Sequence, residues 1–165
     1  MAQSTGGMSA KNGVVEYCIT QATPLAAWVN ISGSANSVTV SGGNRTTGDA
    51  YTADGDTAVI TSGKREAMEI TFRGLYTESA ATPQFFEDLA ARYEAGTGVA
   101  LRWSPTAYDT SGQKRFSTSD TALTAGGSLG VITAWNYPSL DFASGDPIMC
   151  EFTVRCSAIL TLDVT

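Results

Sequence analysis

Residues 150–164, CEFTVRCSAILTLDV, carry the clearest strand pattern in the chain. Successive side chains of a β-strand point to opposite faces, so a strand with one buried face alternates apolar and polar residues. One face of this stretch holds Cys150, Phe152, Val154, Cys156, Ala158, Leu160, Leu162 and Val164. The other face holds Glu151, Thr153, Arg155, Ser157, Thr161 and Asp163, and is interrupted only by Ile159. The pattern predicts one long, half-buried strand.

The same alternation recurs along the chain. In residues 67–75, Met68, Ile70 and Phe72 share one predicted face, and Glu69, Thr71 and Arg73 share the other. Shorter alternating stretches lie at 15–19, 38–40, 99–103 and 131–137. The fold class predicted is therefore mainly β, a sandwich or barrel-like sheet structure.

One segment, about 82–95, follows a helical period instead. Its apolar residues recur at three- and four-residue steps: Phe85, Phe86, Leu89, Ala90 and Tyr93. Thr82 can cap the first turn, Pro83 suits the first helical position, and Gly96 can adopt the left-handed conformation that ends a helix. We expect one amphipathic helix that flanks the sheet and buries its aromatic side chains.

Composition narrows the classes of function. The 165 residues allow one domain, predicted at 14–165, after a flexible arm at 1–13. With 16 acidic and 10 basic residues, the formal charge is −6, which is unusual for a protein that grips nucleic acid. Histidine is absent, which excludes Ser-His-Asp and Cys-His catalysis and histidine-containing zinc sites. We therefore expect no enzyme and no cofactor.

The cysteines and the N-terminus bear on the compartment. Cys18, Cys150 and Cys156 form no CxxC pair, and we interpret all three as small buried hydrophobes in a chain made in a reducing cytoplasm. The start of the sequence lacks the apolar core of a signal peptide, and no apolar run approaches the length of a membrane span.

Two stretches are predicted as loops. Residues 42–63 are rich in Gly, Thr and Asp, and Asp54-Gly55 indicates a tight turn, so this long loop could form an extended hairpin that projects from the body. Asp49, Asp54 and Asp56 do not have the spacing of an EF-hand, and a solvated acidic turn is favoured over a calcium site. Residues 104–130 are predicted to be irregular and flexible.

The long strand of residues 150–164 also has a bearing on assembly. It has no proline and only three charges, so at the side of a sheet it would offer its backbone to another strand. Pairing of sheet edges between copies could close a ring without free edges, and the polar strand faces would then line a watery interior.

An ordered series of short motifs resembles the major tail tube protein of long-tailed bacteriophages. The resemblance covers residues 14–165. The motifs are WVNISG at 28–33, VTVSGG at 38–43, YTADGD at 51–56, GKR at 63–65, LYTE at 75–78, the helix with Phe85 and Phe86, LRWSP at 101–105 and GDPI at 145–148.

This resemblance implies a structural virion protein. Its copies would form hexameric rings stacked into a hollow tail tube, assembled in the host cytoplasm. A tape measure protein occupies the lumen of such tubes during assembly, and DNA passes through the lumen during infection. A tip initiator protein and a tail terminator protein lie at the two ends of the tube. The loop would contact the neighbouring ring, with candidate residues Arg45, Tyr51, Asp54, Asp56, Lys64 and Arg65.

The polar strand faces supply the candidate lumen residues: Glu69, Thr71, Arg73, Glu151, Thr153 and Arg155. With Asp163 included, their charges give a slight negative excess, and a duplex slides past a surface that does not release its counterions.

Two other classes of function stay open. A monomeric β-sandwich binding module could stack Trp28, Trp103 or Trp135 on sugar rings, although Trp103 shares its predicted face with Val99 and Leu101, which favours the core. A histidine-free hydrolase would need two converging carboxylates, for which Glu69 and Glu151 are the candidates.

Overall fold

The computed structural model describes residues 12–19, 27–51, 53, 59–76, 85–107, 113–118, 129–140, 142 and 145–163. The predicted mainly β class is confirmed. The described strands are Val14–Cys18 (β1), Val29–Asn30 (β2), Ala35–Gly42 (β3), Arg45–Ala50 (β4), Val59–Arg65 (β5), Met68–Leu75 (β6), Gly98–Ser104 (β7), Lys114–Ser117 (β8), Gly130–Asn136 (β9), Met149–Cys156 (β10) and Leu160–Asp163 (β11). One helix, Phe85–Ala95 (α1), lies between β6 and β7.

Nine of these strands form one antiparallel sheet that folds around a core. Its main path runs β11-β8-β7-β9-β10-β6-β3, and β1 joins both β7 and β2. Strand β7 connects the two halves, because it pairs with β1, with β8 at Arg102 and Trp103, and with β9 at Gly98 and Val99. The result is a barrel-like sandwich, with β4 and β5 as a separate two-stranded sheet.

The core is built from the faces that alternation predicted. Ile70 and Phe72 of β6 are fully buried, and so are Val99 and Leu101 of β7. The Phe72 and Phe152 rings stack with centroids 4.9 Å apart across the β6–β10 pair. All three cysteines are buried thiols without a disulfide, as predicted.

The helix closes this core. Phe85 and Leu89 are buried, and the Phe85 ring meets Phe72 edge-on at 5.9 Å. The helix ends as predicted at Gly96, whose φ of 61° lies in the left-handed region that glycine adopts without strain. The predicted cap Thr82 and Pro83 lie outside the described residues.

The prediction of one long strand over residues 150–164 is wrong. Strand β10 pairs with β6 and β9, whereas β11 pairs with β8 in the other half of the sheet. The break falls where Ile159 interrupts the alternation, since Ile159 packs on the core and Leu160 is 37% exposed. Because β10 lies between two strands, the condition for a free edge in this stretch is not met by β10. Val164 lies outside the described residues.

The two predicted loops are partly strand. Most of the described part of 42–63 belongs to β4 and β5, which form the extended hairpin considered from the sequence. The stretch 104–130 contains β8, which pairs with both β7 and β11. Both sequences contain several Gly and Asp residues, which are depleted in strands, and this composition concealed the pairing.

Candidate assembly surfaces

The six candidate lumen residues lie together on the outer face of the sheet. The register of β6 and β10 places Glu69 opposite Arg155, Thr71 opposite Thr153, and Arg73 opposite Glu151. Because successive pairs are two residues apart, all six occupy the face that points away from the core. We call these six residues the polar face.

Direct contacts connect the polar face. The Thr71 and Thr153 hydroxyl oxygens are 3.0 Å apart, and Nε of Arg155 lies 4.0 Å from Oε1 of Glu69. Opposite charges on facing residues stabilise a strand pair, so the ladder suits this register. Two carboxylates and two guanidinium groups make the polar face formally neutral. Asp163 does not belong to it, because it forms an ion pair with Lys114 between β11 and β8.

Neighbouring strands widen the polar face beyond the residues that the sequence singled out. Ser37, Thr39 and Ser41 of β3 lie opposite Arg73, Thr71 and Glu69, and continue its three rows. On the other side, Nδ2 of Asn136 donates to Oε1 of Glu151 over 3.1 Å. The alternation of residues 37–41 carried a signal for the serines and threonine, but Asn136 could be placed only by the β9–β10 register.

Strand β3 ends the described sheet. It pairs with β6 on one side, and no described strand pairs with its other side. It contains no proline and no charged residue, and Val40 is 40% exposed. Long uncharged edges invite pairing with another chain, and monomeric proteins commonly block them. Within residues 150–164 only the four-residue strand β11 ends the sheet, whereas β10 is paired on both sides, so the long open edge lies at β3.

The β4–β5 hairpin extends the β3–β6 pair past a bend. Gly42 and Gly43 form the bend, each with a φ of 77°. The chain stays hydrogen-bonded through it, because the Gly43 amide donates to the Ala67 carbonyl and the Glu66 amide to the Asn44 carbonyl. A Cβ at Gly42 would lie 2.6 Å from the Ala67 carbonyl oxygen, so only glycine fits the bend.

Every residue of β4 and β5 is exposed, although an isolated two-stranded sheet is only marginally stable in water. We call this hairpin the arm. At its base Arg45 and Arg65 are register partners. The Arg45 guanidinium donates to the Gly63 carbonyl, and the Arg65 guanidinium donates to the Gly43 carbonyl. At its far end Tyr51 is 74% exposed and Ile60 70% exposed.

The structure therefore brings four of the six candidate ring-contact residues onto one projecting element: Arg45, Tyr51, Lys64 and Arg65. Asp54 and Asp56 lie outside the described residues. Residues 1–11 of the flexible N-terminal segment predicted at 1–13 also lie outside the described residues.

A groove lies at the other end of the β6–β10 ladder. We call it the end groove; it measures about 480 Å³ and is lined by Arg73, Leu140, Phe142, Asp146, Pro147 and Met149, among others. Phe142 is 93% exposed, and Leu140 is also largely exposed. No sequence signal indicated these two residues, which lie between β9 and β10 in the chain.

The tryptophans do not form an exposed stacking platform. Trp135 is buried against the Phe152 ring, and the Arg102 guanidinium covers Trp28 at 3.9 Å from the ring centroid. Arg102 also contacts Glu16 at 2.5 Å. Half-buried Trp103 lines a cavity of about 520 Å³ between the sheet halves, where Phe116 stands beside it. Flat sugar-binding surfaces need exposed aromatic faces, so this geometry disfavours the binding module.

Glu69 and Glu151, the two hydrolase candidates, do not face each other as an acid–base pair. In the β6–β10 register, Glu69 is opposite Arg155 and Glu151 is opposite Arg73. Within the described ranges, no three Cys, Asp or Glu side chains converge as a metal site. The one described helix is too short and too polar to be a membrane span.

No protein-family model and no curated protein matches the chain. Solved structures do match over nearly the whole length. A chain of the anti-feeding prophage (AFP) baseplate, determined by cryo-EM with 6-fold symmetrisation, is 10% identical with a TM-score of 0.63, covering 100% of this chain and 99% of that chain. A chain of the PVC sheath/tube terminator of an extracellular contractile injection system, in the extended state, is 17% identical with a TM-score of 0.64, covering 94% and 96%.

A chain from the tail of an empty gene transfer agent (GTA) particle, refined helically with C6 symmetry, is 12% identical with a TM-score of 0.57. The match covers 99% of this chain and 100% of that chain. At such identities these similarities show a shared fold, and function has to be argued from the surfaces.

Proposed function

We propose that this protein is the tube subunit of a phage tail or of a related tail-like particle. The observation that carries the proposal is the neutral polar face, which lies on a sheet whose last strand, β3, has an open edge. Each copy would contribute this sheet to the inner wall of a ring, and rings would stack into a hollow tube. The copies are made in the host cytoplasm and remain in the tail of the finished particle.

The polar face suits the wall of a conduit. Its four charged residues cancel, threonines form the row between the two charged rows, and serines of β3 extend the charged rows. A duplex is held by basic surfaces that release its counterions, so a neutral hydrated wall lets it pass. A tape measure protein would occupy the same lumen before the DNA does.

Ring closure uses the edge of β3. Pairing of this edge with a neighbouring copy would satisfy its unpaired backbone groups and continue the sheet around the ring. Six copies fit the 6-fold and C6 symmetry of the baseplate and GTA tail structures that share the fold. The arm then reaches the adjacent ring, where its exposed side chains become buried. The ends of the tube bind an initiator and a terminator.

Assembly provides the test. Purified protein, concentrated stepwise, should give rings or tubes in negative-stain electron microscopy and fast-sedimenting species in analytical ultracentrifugation. A binding module would remain a monomer at every concentration. Should the protein stay monomeric even when co-expressed with the tail proteins encoded beside it, the proposal is wrong.

A charge on the open edge should block the ring. Thr39→Lys places an ammonium group on β3, and Val131→Lys is the matched control, because both positions are exposed on the outer face, opposite Thr71 and Arg155, and β9, unlike β3, is paired on both sides. We expect Thr39→Lys to sediment as a folded monomer while Val131→Lys still forms rings. Circular dichroism melts establish that both variants fold. Equal assembly of the two variants would show that β3 is not the ring edge.

A further inference from the structure

The arm and the end groove lie at opposite ends of the same strand pair. The register of β10 runs from Met149 opposite Leu75 to Cys156 opposite Met68. The arm leaves the sheet beside Met68, whereas the end groove includes Met149. An eight-residue strand spans roughly 25 Å at about 3.3 Å per residue. The arm of one copy therefore begins at the end of the sheet that is farther from its own end groove.

The end of the described part of the arm has a defined chemistry. Asp49 and Ile60 are register partners and share one face, and Tyr51 directly follows β4. This end therefore offers an aromatic ring and an aliphatic side chain, both largely exposed, beside a carboxylate. Exposed apolar clusters on a soluble protein commonly mark a contact surface.

The end groove has the complementary chemistry. Leu140 and Phe142 supply exposed apolar surface, and Arg73 supplies a guanidinium group in the same groove. Asp146 also lines the groove, and it already interacts with another group. The four ion pairs within the described residues do not include Arg73, although it stands opposite Glu151. An exposed arginine beside an apolar wall suits a partner that carries a carboxylate next to apolar side chains.

We propose that the end groove receives Asp49, Tyr51 and Ile60 of the arm from a copy in the adjacent ring. Tyr51 and Ile60 would pack on Leu140 and Phe142, and Asp49 would approach Arg73. An interface between two different patches of one protein repeats without closing on itself, so this contact gives the stack its polarity. This inference rests on the proposed tube, but it adds the receptor surface and its chemistry.

Cross-linking between two single-cysteine variants tests the contact. Tubes are assembled from an equal mixture of Ile60→Cys and Phe142→Cys subunits and treated with a short-spacer bismaleimide. The native thiols are poor competitors, because Cys18 is fully buried and burial raises the pKa of the Cys150 and Cys156 thiols. We expect a covalent dimer in the mixture, and only monomer in tubes of either variant alone.

The control mixture pairs Ile60→Cys with Val131→Cys, an exposed position outside the end groove, and should give no dimer. Tubes that assemble without an Ile60–Phe142 cross-link would overturn the inference and leave the proposed function standing. A dimer of Ile60→Cys alone would also overturn it, because arms would then meet arms. Failure of unmodified protein to form rings or tubes would instead remove the proposed function, and this inference with it.

Discussion

At the scale of single residues, Tyr17 connects the sheet to the helix. Its side chain is almost fully buried in β1, and its hydroxyl donates to Oδ2 of Asp88 in α1 over 2.7 Å. Desolvation by burial, and secondly the Asp88 carboxylate, raise the pKa of this phenol well above its ordinary value. The charged form of Tyr17 is therefore much less stable in the folded protein than in the unfolded chain.

Tyr17→Phe should change how stability depends on pH. Since the folded-state pKa exceeds the unfolded value near 10, the contribution of the hydroxyl is complete below pH 10 and is lost as the pH rises through the folded pKa. We expect the variant to be about 1–2 kcal/mol less stable at pH 8, with the deficit shrinking above pH 10. Urea denaturation at pH 8 and above pH 10 measures the difference in the free energy of unfolding between the variant and the unmodified protein.

Tyr51→Phe, at an exposed position, is the control and should follow the unmodified protein throughout. If unmodified protein and Tyr17→Phe lost stability in parallel above pH 10, the titration of Tyr17 would not be responsible.

At the scale of elements, the bend at Gly42 and Gly43 separates the arm from the β3–β6 strand pair and sets the direction of the arm. On one side of it, β3 and β6 belong to the main sheet; on the other, β4 and β5 form the exposed arm. Two glycines with positive φ aim the arm without breaking the backbone hydrogen bonds that continue through the bend. The backbone conformation therefore sets the direction of the arm, and the Arg65 guanidinium, which donates to the Gly43 carbonyl, supports the same bend.

Gly42→Ala should impair stacking more than folding. The added methyl group would meet the Ala67 carbonyl oxygen, and the left-handed φ costs a non-glycine residue about 1–3 kcal/mol. We expect the body to stay folded while the arm is displaced, so that sedimentation shows rings or short stacks in place of tubes. Gly33→Ala is the control, because its Cβ would meet no atom within 4 Å. Tubes of normal length from Gly42→Ala would contradict this account of the bend.

At the scale of the whole molecule, charge is distributed unevenly. The chain carries a formal −6, yet the polar face is neutral, because its two glutamates face two arginines. The acidic excess therefore lies elsewhere, and the proposed inner wall neither attracts nor strongly repels a duplex. What passes through such a tube would be decided by its width and hydration more than by its charge.

Making the polar face basic should convert the conduit into a binding surface. In Glu69→Lys/Glu151→Lys all four charges of the face become positive. We expect variant tubes to protect short duplex DNA from nuclease at low salt and to release it at about 0.3 M salt, whereas unmodified tubes protect none.

Glu87→Lys/Glu94→Lys makes the same charge change on exposed positions of α1 and is the control. Nuclease protection by this control equal to that of the basic-face variant would mean that the polar face does not line the lumen.

The local pattern of the sequence predicted most of the elements correctly. Alternation identified the buried faces of β1, β6, β7 and β10, and the three- and four-residue steps identified the helix and its end at Gly96. Alternation also predicted which residues form the polar face, because residues two apart on a strand share a face wherever that strand lies in the fold. Side-chain periodicity is a property of the backbone geometry, so it can be read without knowing the partners of a strand.

Only the tertiary structure decided which strands pair and which stay open. The sequence of residues 150–164 indicated one continuous strand, but β10 lies inside the sheet, the short β11 ends it on one side, and the long open edge belongs to β3. Leu140 and Phe142 line the end groove, although no periodic pattern in the sequence predicted a role for them. Pairing depends on contacts between residues far apart in the chain, and alternation in one strand is satisfied equally well by many partners.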